Sequence, residues 1–150
     1  MTHNDPVAGD SLAIARQILD AQPFSTLIGA HVTEFGGGVA RIEIPFEQRL
    51  LQQNGFLHGG VLAYAVDNAI SFAGGSVLGP NILTAGITVS YHRPARGPIV
   101  AQATVITSTR SSAAVRCEVT SIDRETGEPV IVASGHGTVS LVNRSDPNTE

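Results

Sequence analysis

The feature that most constrains the fold is a long apolar helix-forming segment followed by four β-type segments with no helix between them. Residues 59–77 are apolar around most of a helical circumference, which is typical of a buried helix. Residues 82–92, 99–109, 113–122 and 130–142 are then rich in β-branched side chains. Consecutive strands of this kind argue against a doubly wound parallel sheet. The order predicts a large antiparallel sheet packed on one central helix.

The first third of the chain adds a short helix and two strands. Ser11 is a candidate N-cap for a helix that Pro23 ends. Residues 32–38 and 39–45 alternate as half-buried strands do, and the glycines that join them predict a hairpin. Residues 47–57 have no clear period and are expected to form a loop.

Glycines and turn-forming residues mark the ends of the later elements. The central helix is expected to stop in the region of Gly74 and Gly75 and at Gly79. Turn-rich links then separate the four β-type segments. These links predict three successive antiparallel turnarounds.

Length and composition indicate one domain over residues 1–150, with an ordered core at about 11–143. The net charge of -4 argues against a nucleic-acid partner. Cys117 lies in an alternating stretch and is interpreted as a small buried hydrophobe rather than a nucleophile. Residues 1–6 lack the pattern of a signal peptide and no apolar run reaches about 18 residues, so we expect a cytoplasmic protein without a membrane segment.

The central helix carries a polar stripe. Tyr64, Asp67, Asn68 and Ser71 are spaced by three, four and seven residues and therefore share one face. Such a face often lies in solvent, but this one contains one charge and no Lys, Arg or Glu. We favour a stripe that faces a partner subunit or a cleft. Large apolar residues nearby are expected mostly in the core, with pocket lining as the alternative: Phe24, Leu27, Phe56, Tyr64 and Phe72.

His58 and Asp67 frame the start and the middle of this helix. Nine helical positions place them about 13 Å apart along the axis and on opposite sides. Within one chain they cannot form a hydrogen-bonded pair. If they share a site, a second copy of the helix must run alongside in the opposite direction, as a two-fold dimer allows.

Gly59 and Gly60 stand where helical N–H groups lack partners and the helix dipole is positive. Without side chains, they would let a carbonyl oxygen approach closely and form an oxyanion hole. The alternative is that they only permit a tight turn into the helix. The sequence favours neither interpretation. The spacing of His, Cys, Asp and Glu predicts no metal site.

The combination resembles the hotdog-fold acyl-CoA thioesterases, and most closely the phenylacetic-acid-degradation (PaaI-like) type of the 4-hydroxybenzoyl-CoA thioesterase superfamily. The resemblance rests on residues 54–63, which read NGFLHGGVLA, with Asp67 following, and on residues 83–95, which read LTAGITVSYHRPA. It implies an α+β hotdog fold of about six antiparallel strands around one long helix, with a short N-terminal helix. It also implies a homodimer or homotetramer, an acyl-CoA substrate, and no cofactor beyond the coenzyme A of that substrate.

The resemblance also implies roles for individual residues. Asp67 would act as general base or nucleophile, and the Gly59 N–H would hold the thioester oxygen. His58 would position the carbonyl or the loop, and Thr84 would orient water. The family often has Asn six residues before the histidine, where this chain has Gln52, with Asn54 four residues before it. Gln52 or Asn54 could therefore hold the water, or neither of them does.

The remaining candidates are substrate-binding residues. They are Asn54, Gly60, Asn68, Arg93 and Arg96. The two arginines could meet coenzyme A phosphates or could be exposed turn residues. Three other functions stay open at this point: a non-catalytic acyl-CoA binding or sensing protein, a hydratase of the same fold, and a purely structural dimer.

Overall fold

The computed structural model describes the backbone of residues 6–142 and the side chains from residue 11 onward. Residues 1–5 and 143–150 lie outside the described residues. The described residues form three helices and six strands, with a short 3-10 turn at Gln48–Leu50 before the third helix. The elements are α1 (Pro6–Asp20), α2 (Pro23–Ile28), β1 (His31–Gly36), β2 (Val39–Ile44), α3 (Gly59–Leu78), β3 (Ile82–Tyr91), β4 (Ile99–Ser108), β5 (Ser112–Ile122) and β6 (Pro129–Leu141).

The six strands form one antiparallel sheet in the order β1-β2-β4-β5-β6-β3. The α3 helix packs against every strand of this sheet. Val66, Ala69, Ile70 and Ala73 are fully buried on the packed side of α3. Burying a side chain such as Val66 or Ile70 stabilises the fold by about 1.5–3 kcal/mol. The predicted sheet around one central helix is therefore confirmed.

The predicted start of α1 is wrong. The helix begins at Pro6, so Ser11 lies inside it and does not cap it. Proline is favoured in the first helical turn because its missing N–H has no partner to lose there. After Pro23 the chain forms α2, which ends at Gly29 in the left-handed conformation.

The link between β3 and β4 is also not the predicted turnaround. β3 pairs with β6 at the edge of the sheet, and β5 and β6 lie between β3 and β4. Residues 92–98 therefore cross the ends of those two strands. The His92 N–H donates to the Val132 carbonyl, and the Ser121 hydroxyl donates to the Pro98 carbonyl.

The α3 helix continues through the two glycines that were expected to stop it. Gly74 faces the sheet, where an added Cβ would lie only 2.8 Å from Val139 side-chain carbons. The glycine is therefore needed for close helix–sheet packing. The helix ends at Leu78, and Gly79 follows with a φ of 98°.

Two further expectations have clear outcomes. Cys117 is buried, as predicted, and burial, with a smaller effect of Glu118, raises the pKa of its thiol to about 12.

By contrast, α3 has the length and composition of a membrane-spanning helix, with a mean hydropathy of 1.3. The prediction that no segment reaches this length is wrong by that criterion. Half of the helix is buried, as is typical of the core helix of a globular domain.

Candidate active site

The start of α3 is shaped by His58. It is the N-cap residue, and its Nδ1 accepts a hydrogen bond of 2.8 Å from the Gly60 N–H. An accepting Nδ1 places the proton of the neutral ring on Nε2, so the exposed edge of the ring is a donor. A Cβ on Gly60 would lie 3.0 Å from Nδ1, so glycine keeps this contact relaxed. The Gly60 N–H is thereby engaged inside the protein.

Gly59 is different because its N–H makes no hydrogen bond to any residue that the structure describes. Its carbonyl oxygen accepts from the Tyr91 hydroxyl at 3.0 Å. The free donor lies at the first residue of a twenty-residue helix, where the helix dipole is positive. Of the two glycines, Gly59 is the one with an N–H available for an oxyanion.

The loop before Gly59 is held by backbone hydrogen bonds. The Leu57 N–H donates to the Ala95 carbonyl at 3.0 Å, and the His58 N–H donates to the Leu50 carbonyl at 2.9 Å. Gly55 adopts a φ of 82° that turns the loop back. These contacts fix the position of the Gly59 donor.

Asp67 lies in the middle of α3 and is exposed. Its Oδ1 accepts a hydrogen bond of 2.8 Å from the Thr84 hydroxyl of β3. The Thr84 oxygen is also 3.4 Å from the Ser71 hydroxyl. A β-bulge follows Thr84, because the strand register shifts between Thr84 and Gly86. Thr84, which was expected to orient water, therefore contacts the Asp67 carboxyl group directly.

The rest of the polar stripe turns toward α2. The Tyr64 hydroxyl donates to the Ser25 oxygen at 2.6 Å and accepts from the Asn68 amide at 2.8 Å. Ser25 in turn donates to the Gln22 side chain at 2.6 Å. Burial raises the pKa of Tyr64 above its ordinary value, although its hydrogen bonds with Ser25 and Asn68 act the other way. The phenol is therefore neutral at physiological pH.

Asp67 and Gly59 line different cavities of the chain. Asp67 and Thr84 line one of about 390 Å³, together with Tyr64, Asn68 and Ser71. Gly59 lines another of about 350 Å³. Asp67 follows Gly59 by eight helical positions, so the two residues are about 12 Å apart along the helix axis. One chain therefore presents two half-sites: the donor half-site (His58, Gly59, Gly60) and the carboxylate half-site (Asp67, Ser71, Thr84).

The other predicted site residues fall mainly around the donor half-site. Gln52 and Arg93 line the same cavity as Gly59. The Gln52 side-chain oxygen accepts from the Asn54 N–H, which closes the loop on itself. Arg93 also donates to the Ile131 carbonyl at 2.9 Å. Arg96 lies 4.8 Å from the centre of the Phe56 ring, whose side chain lines this cavity.

The structure adds residues that the sequence did not single out. Tyr91 donates to the Gly59 carbonyl. The sequence did contain a signal for this contact: Tyr91 lies two residues after Val89, which packs against the core, and residues two apart on a strand share a face. Ser25 is a buried residue of α2. Phe24 and Leu27 are mostly exposed, so their expected place in the core is wrong. Among the described residues, no group of three His, Cys, Asp or Glu side chains could hold a metal ion.

Comparison with known proteins agrees with this architecture. The family model described as "Thioesterase superfamily" matches residues 54–128, which include the donor half-site and the carboxylate half-site. A candidate esterase from Halobacterium salinarum is 33% identical over 139 residues, covering 87% of this chain and 91% of the relative.

Solved structures show the same fold. A point mutant of the phenylacetic acid degradation protein PaaI from Thermus thermophilus is 28% identical, with a TM-score of 0.70 over 81% of this chain and 100% of that one. A thioesterase from Haemophilus influenzae has a TM-score of 0.77 at 22% identity, over 92% and 94% of the two chains. The chain belongs to the thioesterase superfamily as a PaaI-like protein of the hotdog fold, and it is a thioester hydrolase.

Proposed function

We propose that this member of the thioesterase superfamily hydrolyses an acyl-CoA thioester to the free acid and coenzyme A, at a site shared by two copies of the chain. The observation that carries the proposal is the pair of half-sites on α3. Gly59 offers an N–H with no partner among the described residues, and Asp67 offers a carboxyl group that accepts from Thr84. Acyl transfer needs both a donor for the developing oxyanion and a base or nucleophile.

The chemistry divides between the half-sites. The thioester oxygen accepts from the Gly59 N–H, which stabilises the negative charge that develops when the carbonyl carbon is attacked. Asp67 either removes a proton from the attacking water or attacks the carbon itself, and both routes stay open. In either route the C–S bond breaks, a water oxygen ends on the acyl group, and a proton ends on the coenzyme A sulfur.

Two copies are needed because the half-sites of one chain lie too far apart. About 12 Å along one helix separates Asp67 from Gly59, whereas a hydrogen bond spans about 3 Å. A two-fold axis would set two α3 helices antiparallel, so that Asp67 of one copy meets Gly59 of the other. A dimer then has two equivalent sites, and a pair of dimers would form a tetramer.

The substrate's coenzyme A would lie beside the donor half-site. Arg93 and Arg96 are exposed there, and arginine suits phosphate because its guanidinium donates from several positions. Gln52 and Asn54 lie in the same loop and would contact the thioester end. Asn68 lines the Asp67 cavity and would contact the acyl side, while Gly60 supports the site through His58. The reaction needs no metal or added cofactor, and we place it in the cytoplasm.

The test is release of free thiol from a panel of aromatic and aliphatic acyl-CoA thioesters. Asp67→Asn keeps the shape of the side chain but removes its basicity, so we expect the rate to fall by about 10²–10⁴. Asp20→Asn, at the exposed end of α1, is the matched control and should retain the wild-type rate.

Equal rates for wild type and Asp67→Asn would remove Asp67 from the mechanism. Tight acyl-CoA binding by the wild type without any thiol release would instead favour a non-catalytic binding protein.

A further inference from the structure

An apolar groove opens directly beside the Asp67 cavity. It has a volume of about 510 Å³ and lies between α1, the second half of α3 and the start of β3. The groove and the Asp67 cavity share four lining residues, so they are continuous. The shared residues are Gln22, Asn68, Ser71 and Leu83.

One wall of the groove is a second apolar face of α1. Ala15 and Leu19 pack into the core, whereas Ile14 and Ile18 are 56% and 45% exposed and line the groove. Two large aliphatic side chains facing a cavity are unfavourable in water and mark a binding surface for an apolar group. The exposed isoleucines therefore favour an apolar ligand in the groove.

The floor of the groove follows α3 away from the carboxylate half-site. It runs from Asn68 past Phe72 and Gly75 to Gly79, which follows the last residue of α3, and these eleven steps along the helix measure about 16 Å. Phe72 is held by an edge contact with Phe35, whose ring centre is 6.0 Å away. The groove is thus about three helical turns long, a length that suits an extended chain better than a single aromatic ring.

Gly75 lies halfway along this floor. An added Cβ would be 3.6 Å from the nearest carbon of Ile82, which is ordinary contact. Its neighbour Gly74 would place a Cβ 2.8 Å from Val139. Gly74 is therefore needed for packing, whereas Gly75 has room for a side chain that would project into the groove.

We propose that the groove binds the acyl tail of the substrate, that the tail is an extended aliphatic chain, and that Gly75 leaves the groove open along its length. This inference rests on the proposed hydrolysis at Asp67. The occupant is the acyl tail because the groove is continuous with the cavity where the thioester must lie. Catalytic efficiency then rises with chain length by roughly fourfold for each CH2 until the groove is full.

The first test is Gly75→Leu, assayed with acyl-CoA thioesters from acetyl to long-chain acyl. We expect kcat/KM for long chains to fall by about tenfold or more, while the value for acetyl-CoA changes less than about twofold. Ala13→Leu places the same leucine side chain at an exposed position of α1 that does not line the groove, and it should leave the chain-length profile unchanged.

A second variant covers the case in which Gly75→Leu does not fold. Ile18→Phe narrows the groove from the opposite wall and should shorten the preferred chain in the same way. An unchanged ratio of long-chain to short-chain kcat/KM in a folded variant of either kind would overturn the proposal.

A binding experiment separates this inference from the proposed function. S-alkyl-CoA thioethers cannot be hydrolysed, so their affinity for wild type and Gly75→Leu reports on the groove alone. Affinity that rises with alkyl length in wild type and not in Gly75→Leu supports the groove even if the wild type hydrolyses nothing. Affinity independent of alkyl length, with a changed oligomeric state in Gly75→Leu, would show that a second copy of the chain covers the groove and would overturn the proposal.

Discussion

The donor half-site and the carboxylate half-site lie on one helix but are built in different ways. The donor half-site is made of backbone: the Gly59 N–H, a cap at His58, and a loop tied to its neighbours by backbone hydrogen bonds. The carboxylate half-site is made of side chains, with Asp67 held by Thr84 from an edge strand. The first therefore depends on where the chain runs, and the second on which side chains it carries.

This difference determines which substitutions affect each half-site. A side-chain change at Gly59 leaves the N–H in place, so only loss of the N–H itself should disable the donor. At the carboxylate half-site a single change of side-chain chemistry is enough. Matched variants at the two half-sites therefore separate the contribution of the backbone N–H to the rate from the contribution of the side chains.

After Asp67→Asn, the largest effect in this comparison is expected for Gly59→Pro. Proline has no N–H, fits the first helical residue, and suits the φ of -59° and ψ of 139° of His58 before it. Loss of one oxyanion donor should lower kcat by about 10²–10³. Gly59→Ala is the control, because it keeps the N–H and an added Cβ lies 3.5 Å from the Tyr91 ring.

We measure kcat and the melting temperature of both variants. If Gly59→Pro and Gly59→Ala are equally active, the Gly59 N–H has no part in catalysis.

An intermediate effect is expected for Thr84→Val. The variant keeps the shape of the side chain and removes the hydroxyl that donates to Asp67 at 2.8 Å. A hydrogen bond to a charged group contributes about 1.5–3 kcal/mol, so we expect kcat to fall by about tenfold or more. Thr84→Ser keeps the hydroxyl and should stay near the wild-type rate. A full rate in Thr84→Val would mean that Asp67 does not need this contact.

The smallest effect on activity is expected for Tyr64→Phe. Tyr64 belongs to the same stripe as Asp67, but its hydroxyl bridges Ser25 and Asn68. Loss of these bonds should lower the free energy of unfolding by about 1 kcal/mol, seen as a drop of a few degrees in melting temperature. The rate should change less than about twofold. A large loss of kcat at unchanged stability would instead place Tyr64 in the reaction.

Much of the fold follows from sequence periodicity alone. The strands were predictable because burial of one face makes apolar and polar residues alternate in the sequence. The central helix was predictable because burial of most of its surface leaves a long apolar segment. The position of β3 was not, because pairing with β6 rather than β4 depends on contacts across the sheet. The same holds for Gly74, whose role depends on Val139, far away in the chain.

The site shows the same limits. Helix geometry already predicts that His58 and Asp67 of one chain do not meet, and Gly59, the residue after His58, lines a different cavity from Asp67. Helix geometry alone could not distinguish Gly59 from Gly60, although the family resemblance assigned the donor to Gly59. The distinction depends on the rotamer with which His58 accepts the Gly60 N–H. Nor could the sequence show that Tyr64 and Asn68 turn toward Ser25, since that contact spans about forty residues.

The central claim is that one active site takes Gly59 from one copy and Asp67 from another. Two inactive variants, Asp67→Asn and Gly59→Pro, test it when they are co-expressed with different affinity tags and the mixed dimer is purified. One of the two sites in that dimer is then intact, so we predict about half of the wild-type rate. A mixed dimer as inactive as its parents would contradict the claim and place both residues in a site within one chain.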